Sequence, residues 1–400
     1  MWISATYADG LPFRFRATPE GVRSDSLVLP TFDRREVRAI RWSPAGRPRT
    51  GVVCMHPRVD FTHHYLFPAL LGAGYTCVGA LSRNLGDDTD TIHEDLCLDV
   101  AACVAHLRET GHERVVLLAN CGGGSLMTLY QAQAELPPGS RLERTPGGRR
   151  TLLPVAPLSP GDGLMLVAAH RGQGRVLLRS IDPSVTDESD PLSVDPSLDP
   201  YDRRNGFRPP PEWSSYGADF VARYRQAQEE RVARLDAVAR AWLQERKAGK
   251  GTRAGHLARL MVAYRTSAAL ESVDRALDPS PRDYGTLLSE DPPTQNLERL
   301  GYGRVVTPEA WLSTWSGLSS NADLAKTLPH VRVPVLVLHA GADREVLNQD
   351  LRAITEALRT EDRAVVALER ARHYFEPAGS PDRAAAETAV VDWLRARFAA

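Results

Sequence analysis

Apolar residues fall into short runs broken by polar or glycine-containing turns, and two periods alternate along the chain. GVVCMHP (51–57), YTCVGAL (75–81), RVVLLAN (114–120), LMLVAAH (164–170) and VPVLVLHAGAD (333–343) are nearly continuous apolar stretches of strand length. Such runs suit strands buried on both faces. Between them apolar residues recur every three or four positions. Leu96, Val100, Cys103, Val104 and Leu107 mark one helix, and similar spacing predicts helices over 65–73, 125–136, 348–359 and 384–398. LVLP (27–30) and VRAIRW (37–42) read as antiparallel edge strands, and 364–368 as a last strand. The alternation predicts an α/β fold with a mostly parallel central sheet and helices on both faces.

The alternation is interrupted after His170 and resumes at Val333. Within the gap, 182–211 is crowded with Asp, Pro and Ser, and contains the similar pieces IDPSV (181–185) and VDPSL (194–198). That is turn chemistry. Amphipathic helices are predicted over about 218–243 and 257–277, and Thr307-Pro308-Glu309 is a helix start with Trp311 and Trp315 one turn apart behind it. A core of 1–180 and 328–400 with a mainly helical cap at 181–327 follows.

The chemistry concentrates at Arg114–Tyr130, where the strand RVVLLAN runs into Cys121, three glycines and a helix. Strand, sharp turn and helix with one nucleophile at the apex is the nucleophile-elbow pattern. Crowding around the apex demands small neighbours, here Ala119, Gly122 and Gly123. A thiol there needs a base, and the base an orienting acid. Asp343 and His373 follow successive predicted strands, at the carboxyl edge where open sheets gather their sites. The expected oxyanion donors are the Gly122 N–H and the Arg58 N–H after His56-Pro57; loss of such a donor costs roughly 2.7–4 kcal/mol of transition-state stabilisation.

These pieces resemble the α/β-hydrolase superfamily over most of the chain. The matching parts are His56-Pro57 in the place of a His-Gly loop, Asn120-Cys121-Gly122-Gly123-Gly124, Gly341-Ala342-Asp343 and His373-Tyr374-Phe375. Cysteine at the apex is similar to the dienelactone-hydrolase and polyhydroxyalkanoate-synthase branches. The resemblance implies acyl chemistry through Cys121, His373 and Asp343.

Thiolate chemistry favours activated esters, thioesters or lactones, with water completing the reaction in a hydrolase and an alcohol, amine or thiol in an acyltransferase. C–C bond hydrolysis and ligand binding without turnover are the other readings. His56, His170, Trp213, Trp311 and Trp315 are the expected pocket residues for a mid-sized apolar small molecule, a thioester donor among the options. Lys and Arg (49) nearly balance Asp and Glu (50) over 400 residues, so no global field favours nucleic acid or a membrane surface. The five cysteines have no metal-ligand spacing and no disulfide pattern, which points to a reducing compartment. With no leader-like N-terminus and no apolar run near the ~20 residues of a membrane span, the expectation is a cytoplasmic protein with neither metal nor cofactor, compatible with a homodimer.

Overall fold

The computed structural model describes residues 12–299 and 301–400; the first eleven, on which the leader reading bears, lie outside them. The core elements are β1 (Arg23–Pro30), β2 (Glu36–Ser43), β3 (Thr50–His56), α1 (Phe67–Gly72), β4 (Thr76–Leu81), α2 (His93–Glu109), β5 (Arg114–Asn120), α3 (Gly123–Glu135), β6 (Gly163–Val167) and α4 (Gln173–Ser180). The excursion holds α5 (Ala218–Ala248), α6 (Arg253–His256), β7 (Met261–Val262), α7 (Pro292–Leu297), β8 (Val305–Val306), α8 (Pro308–Ala310) and α9 (Leu324–Thr327). The chain closes with β9 (Val335–Ala340), α10 (Asn348–Ala357), β10 (Arg363–Leu368) and α11 (Pro381–Arg395).

Eight strands form one sheet in the order β1-β2-β4-β3-β5-β6-β9-β10. β2 runs antiparallel to both neighbours and every later pairing is parallel. Alternate side chains of β5 feed opposite layers, as the two-residue period requires. Val115, Leu117 and Ala119 pack under α2 and α3. Val116 and Leu118 join Phe67, Val390 and Trp393 on the other face. Both faces are thus covered, which is why β5 reads as a continuous apolar run.

The excursion has its own small core, in which Val232, Leu235 and Ala239 of α5 meet Met261, Val306, Trp311 and Trp315. The second predicted helix does not form. Leu257 and Leu260 of its apolar stripe are exposed, and the backbone of this stretch bonds elsewhere: Ala263 N–H to Arg304, Ala268 N–H to Ser180. Sheet-like and loop pairings have replaced the helical ladder. The two Asp-Pro-Ser pieces adopt the same turn. Asp182 Oδ1 accepts from Ser184 N–H (2.9 Å), and Asp195 Oδ1 from Ser197 N–H (2.9 Å). No described helix is long and apolar enough to cross a membrane, and all five cysteines are free.

Candidate functional site

The site is built where β5 turns into α3. Cys121 has φ +53°, a left-handed conformation costing a side-chain-bearing residue roughly 1–3 kcal/mol. Neighbours hold it there. Asn120 donates from Nδ2 to the Val167 carbonyl (2.7 Å) and accepts at Oδ1 from His64 Nε2 (3.0 Å), pinning the strand end. A Cβ on Gly123 would lie 2.7 Å from the Met55 carbonyl oxygen, and one on Gly124 2.8 Å from the Ala169 Cβ. The glycines let α3 start directly against β3 and the end of β6.

The loops after β9 and β10 bring the acid to the base. Asp343 Oδ2 and His373 Nδ1 are 2.6 Å apart, and Asp343 Oδ1 accepts the Glu345 N–H at 2.7 Å. The ring is buried, and His373 Nε2 makes no hydrogen bond of ordinary geometry among the described residues. Burial opposes ionisation of Cys121. The charge of His373, and then the nearby His170, His373 and His56 rings, outweigh it and hold the thiol well below its usual range. Burial likewise opposes the imidazolium, yet Asp343 and the Cys121 sulfur raise His373 well above the usual histidine range. The direction common to both is a thiolate–imidazolium pair with a carboxylate behind it.

Two more imidazoles reach the sulfur. His56 Nδ1 accepts from the Arg58 N–H and the Val59 N–H, both at 2.9 Å. His170 Nδ1 accepts from the Gly172 N–H at 3.1 Å. A neutral imidazole that accepts at Nδ1 carries its proton on Nε2, so both rings present N–H donors. Among the described residues no three His, Cys, Asp or Glu side chains are grouped to hold a metal ion.

No family model matches this chain, and no curated protein matches its sequence. Solved structures do. DcsB in complex with its substrate analogue superposes with a TM-score of 0.52 at 10% identity, over 94% of this chain and 100% of that one. The α/β hydrolase GrgF from Penicillium sp. sh18 gives 0.49 at 11% identity (94% and 98% covered), and the esterase domain of a Rhodothermus marinus protein 0.45 at 10% (94% and 98%). The fold itself is set by the sheet: eight strands, an antiparallel second strand inside, parallel pairing beyond it and an elbow after the fifth strand. The chain has the α/β-hydrolase fold.

Within the α/β-hydrolase fold several expected positions need correction. The Arg58 N–H does not face the sulfur as the second oxyanion donor. Pro57 has no N–H to offer and a fixed φ, and the chain after it curls so that Arg58 and Val59 both donate to the His56 ring. The Arg58 guanidinium pairs with Asp88 (2.7 Å) and covers the Trp315 ring at 5.0 Å. Trp315 and Trp311 are fully buried in the core of the excursion, with Trp311 Nε1 donating to Asp236 of α5 at 2.8 Å. Trp213 stacks near Tyr284 (5.2 Å) and Arg275 (5.2 Å), also within the excursion. None of the three borders the cavity beside His373, so they do not form the expected pocket wall there.

Other groups were not anticipated. The buried Glu345 carboxyl, two residues past the acid, is pushed up by burial and by the Cys121 charge, and accepts from the Tyr302 hydroxyl at 2.8 Å. Gln173, the first residue of α4, lies against Gly122. Its neighbour His170 ends a strand-like run and could be noticed; nothing in RGQGR marks the glutamine. A cavity of about 890 Å³ borders His373 and Ala342, with Arg344, Arg372 and Arg383 on its wall.

Proposed function

We propose that this chain is an acyl-transfer enzyme in which Cys121 is the nucleophile, His373 the proton donor and acceptor, and Asp343 its orienting carboxylate. The observation that carries the reading is the 2.6 Å Asp343–His373 contact behind a histidine raised, and a cysteine lowered, by each other's charge. A buried cysteine with only a packing role would be driven the other way, as burial drives Cys54 and Cys77.

In the first step the Cys121 sulfur adds to the substrate carbonyl carbon, and the C=O π pair moves onto oxygen. The Gly122 N–H, which has no backbone acceptor among the described residues, donates to that oxygen. As the C–O or C–S bond to the leaving group breaks, His373 Nε2 delivers its proton there, leaving an acyl thioester and a neutral imidazole. Water is then deprotonated by His373 Nε2, attacks the thioester and restores the thiolate. Asp343 keeps the Nδ1 proton in place throughout. A lactone suits this chemistry once His373 protonates the departing oxygen, and activated esters and thioesters suit it because their leaving groups depart at least as readily as the thiolate. An amine does so only when protonated. In this reading 181–327 is the cap that selects a small-molecule substrate.

The test is intact-mass detection of an acyl adduct after mixing with p-nitrophenyl and thioester donors. The wild type should gain one acyl mass, and Cys121→Ala none. His373→Ala should acylate at least about 10²-fold more slowly, the usual range for loss of a positioned acid–base group. An adduct that persists in Cys121→Ala would overturn the assignment. Partition between water and added thiols or alcohols then separates hydrolase from acyltransferase.

A further inference from the structure

With the Arg58 N–H committed to the His56 ring, the site needs another way to receive carbonyl charge, and the structure supplies side chains. A Cβ built on Gly122 would lie 2.6 Å from Gln173 Nε2 and 2.7 Å from His56 Nε2. Both nitrogens therefore lie against Gly122, the residue that follows the nucleophile. The two backbone donors on His56 Nδ1 fix the ring as an Nε2–H donor. Gln173 is only 3% exposed, yet its amide makes no hydrogen bond to any described residue. An amide without a protein partner is left to bond whatever enters the site. Burial lowers the His56 pKa, consistent with a ring that stays neutral and donates.

We propose that the oxyanion hole of this chain is made largely of side chains: Gln173 Nε2 and His56 Nε2–H, together with the Gly122 N–H, receive the carbonyl oxygen as it becomes negative. The inference rests on the acyl-transfer reading above and names residues that the fold's usual pair of backbone donors does not include. When the Cys121 sulfur adds to the carbonyl carbon, the C–S bond forms and the π pair becomes the third lone pair of the oxygen. The negative charge thus moves from sulfur to an atom two bonds away. His56, one of the groups that favour the thiolate, also has its Nε2 against Gly122, so its N–H serves the charge in either place. Gln173 has no such partner before the reaction, so its bond is made only once the oxygen is charged. An interaction of that kind lowers the barrier without holding back the resting thiolate. His170 also favours the thiolate, but it is not among the atoms nearest Gly122.

Two rates on the same preparations test this. Acylation of Cys121 by a p-nitrophenyl ester creates an oxyanion. Alkylation by iodoacetamide displaces iodide from a saturated carbon and creates none. Gln173→Met, close in shape and without a donor, should acylate on the order of 10²–10³-fold more slowly, as for other oxyanion donors, while its alkylation rate stays at the wild-type value. His56→Ala should show the same acylation loss. Wild-type acylation by Gln173→Met, or equal loss of both rates, would overturn the assignment to the oxyanion while leaving Cys121 as nucleophile. A wild type that is alkylated but never acylated would overturn the acyl-transfer reading itself, and this one with it.

Discussion

At the scale of single residues the site turns on where one proton sits. A free thiol and a free imidazole titrate about two units apart, near 8.5 and 6.5, so modest fields suffice to reverse them. Here Asp343 on one side and three imidazoles around the sulfur act together, which a serine hydroxyl could not exploit to the same end. The pH dependence follows. Below the lowered Cys121 pKa the thiolate takes up a proton and every reaction of the sulfur slows. Above the raised His373 pKa the sulfur stays ionised but the acid is lost. Alkylation of Cys121 by iodoacetamide should therefore rise once at low pH and remain flat, whereas acylation from a poor leaving group should be bell-shaped. At pH 6 mass spectrometry should find Cys121 labelled and Cys54, Cys77 and Cys97 untouched, since burial raises all three. Labelling of Cys121 that begins only above pH 8 would mean that the ion pair does not form.

At the scale of elements, the strand–elbow–helix unit is a packing problem solved by glycine. A Cβ at Gly123 meets the Met55 backbone carbonyl at 2.7 Å, and β3 lies hydrogen-bonded between β4 and β5, so it has little freedom to move aside. Gly123→Ala should destabilise the fold by about 1–3 kcal/mol. Urea unfolding should register a lower midpoint with an unchanged slope; an unaltered midpoint would show that α3 can slide. This unit was legible in the sequence because its period changes from continuous apolar to helical at a glycine cluster. Asp343 and His373 were legible because they end or follow strands, so strand order alone delivers them to one edge. The 257–277 stretch was misread because its apolar spacing is satisfied by exposed Leu257 and Leu260 and by a two-stranded pairing with β8. Arg58 was misread because the direction of one N–H depends on the turn after Pro57. Gln173 stayed hidden because its partner in space, Gly122, is far off in the chain.

At the scale of the molecule the question is what docks the excursion onto the sheet, since any cap that shapes a substrate must sit in a defined place. Part of the answer is a helix cap supplied from a distance. α10 starts at Asn348, and the residue before it, Leu347, has no side chain that can accept a hydrogen bond. Helix N-termini leave their first N–H groups unsatisfied. Asp278, buried and seventy residues earlier in the excursion, takes both: its Oδ1 accepts the Asn348 N–H (3.1 Å) and its Oδ2 the Gln349 N–H (2.8 Å). Gln349 returns the contact, donating from Nε2 to Glu271 Oε1 at 3.0 Å. On the other side, Arg179 at the end of α4 holds Asp350 at 2.9 Å. The first turn of α10, which follows the loop of Asp343, is thus fastened to the excursion by a carboxylate acting on a positive helix end. Asp278→Ala removes that acceptor and leaves two N–H groups without a partner, so stability should fall by about 1–2 kcal/mol. Asp278→Asn retains one acceptor oxygen and should lose less. Because Asp343 lies just before the capped turn, the alanine variant should also slow acylation of Cys121, while Asp202→Ala, which removes a cap within the excursion alone, should leave that rate unchanged. Thermal unfolding and the acylation burst, read on the three variants, distinguish a docking contact from a local one: equal losses in Asp278→Ala and Asp202→Ala would show that the excursion is not held to the catalytic edge through α10.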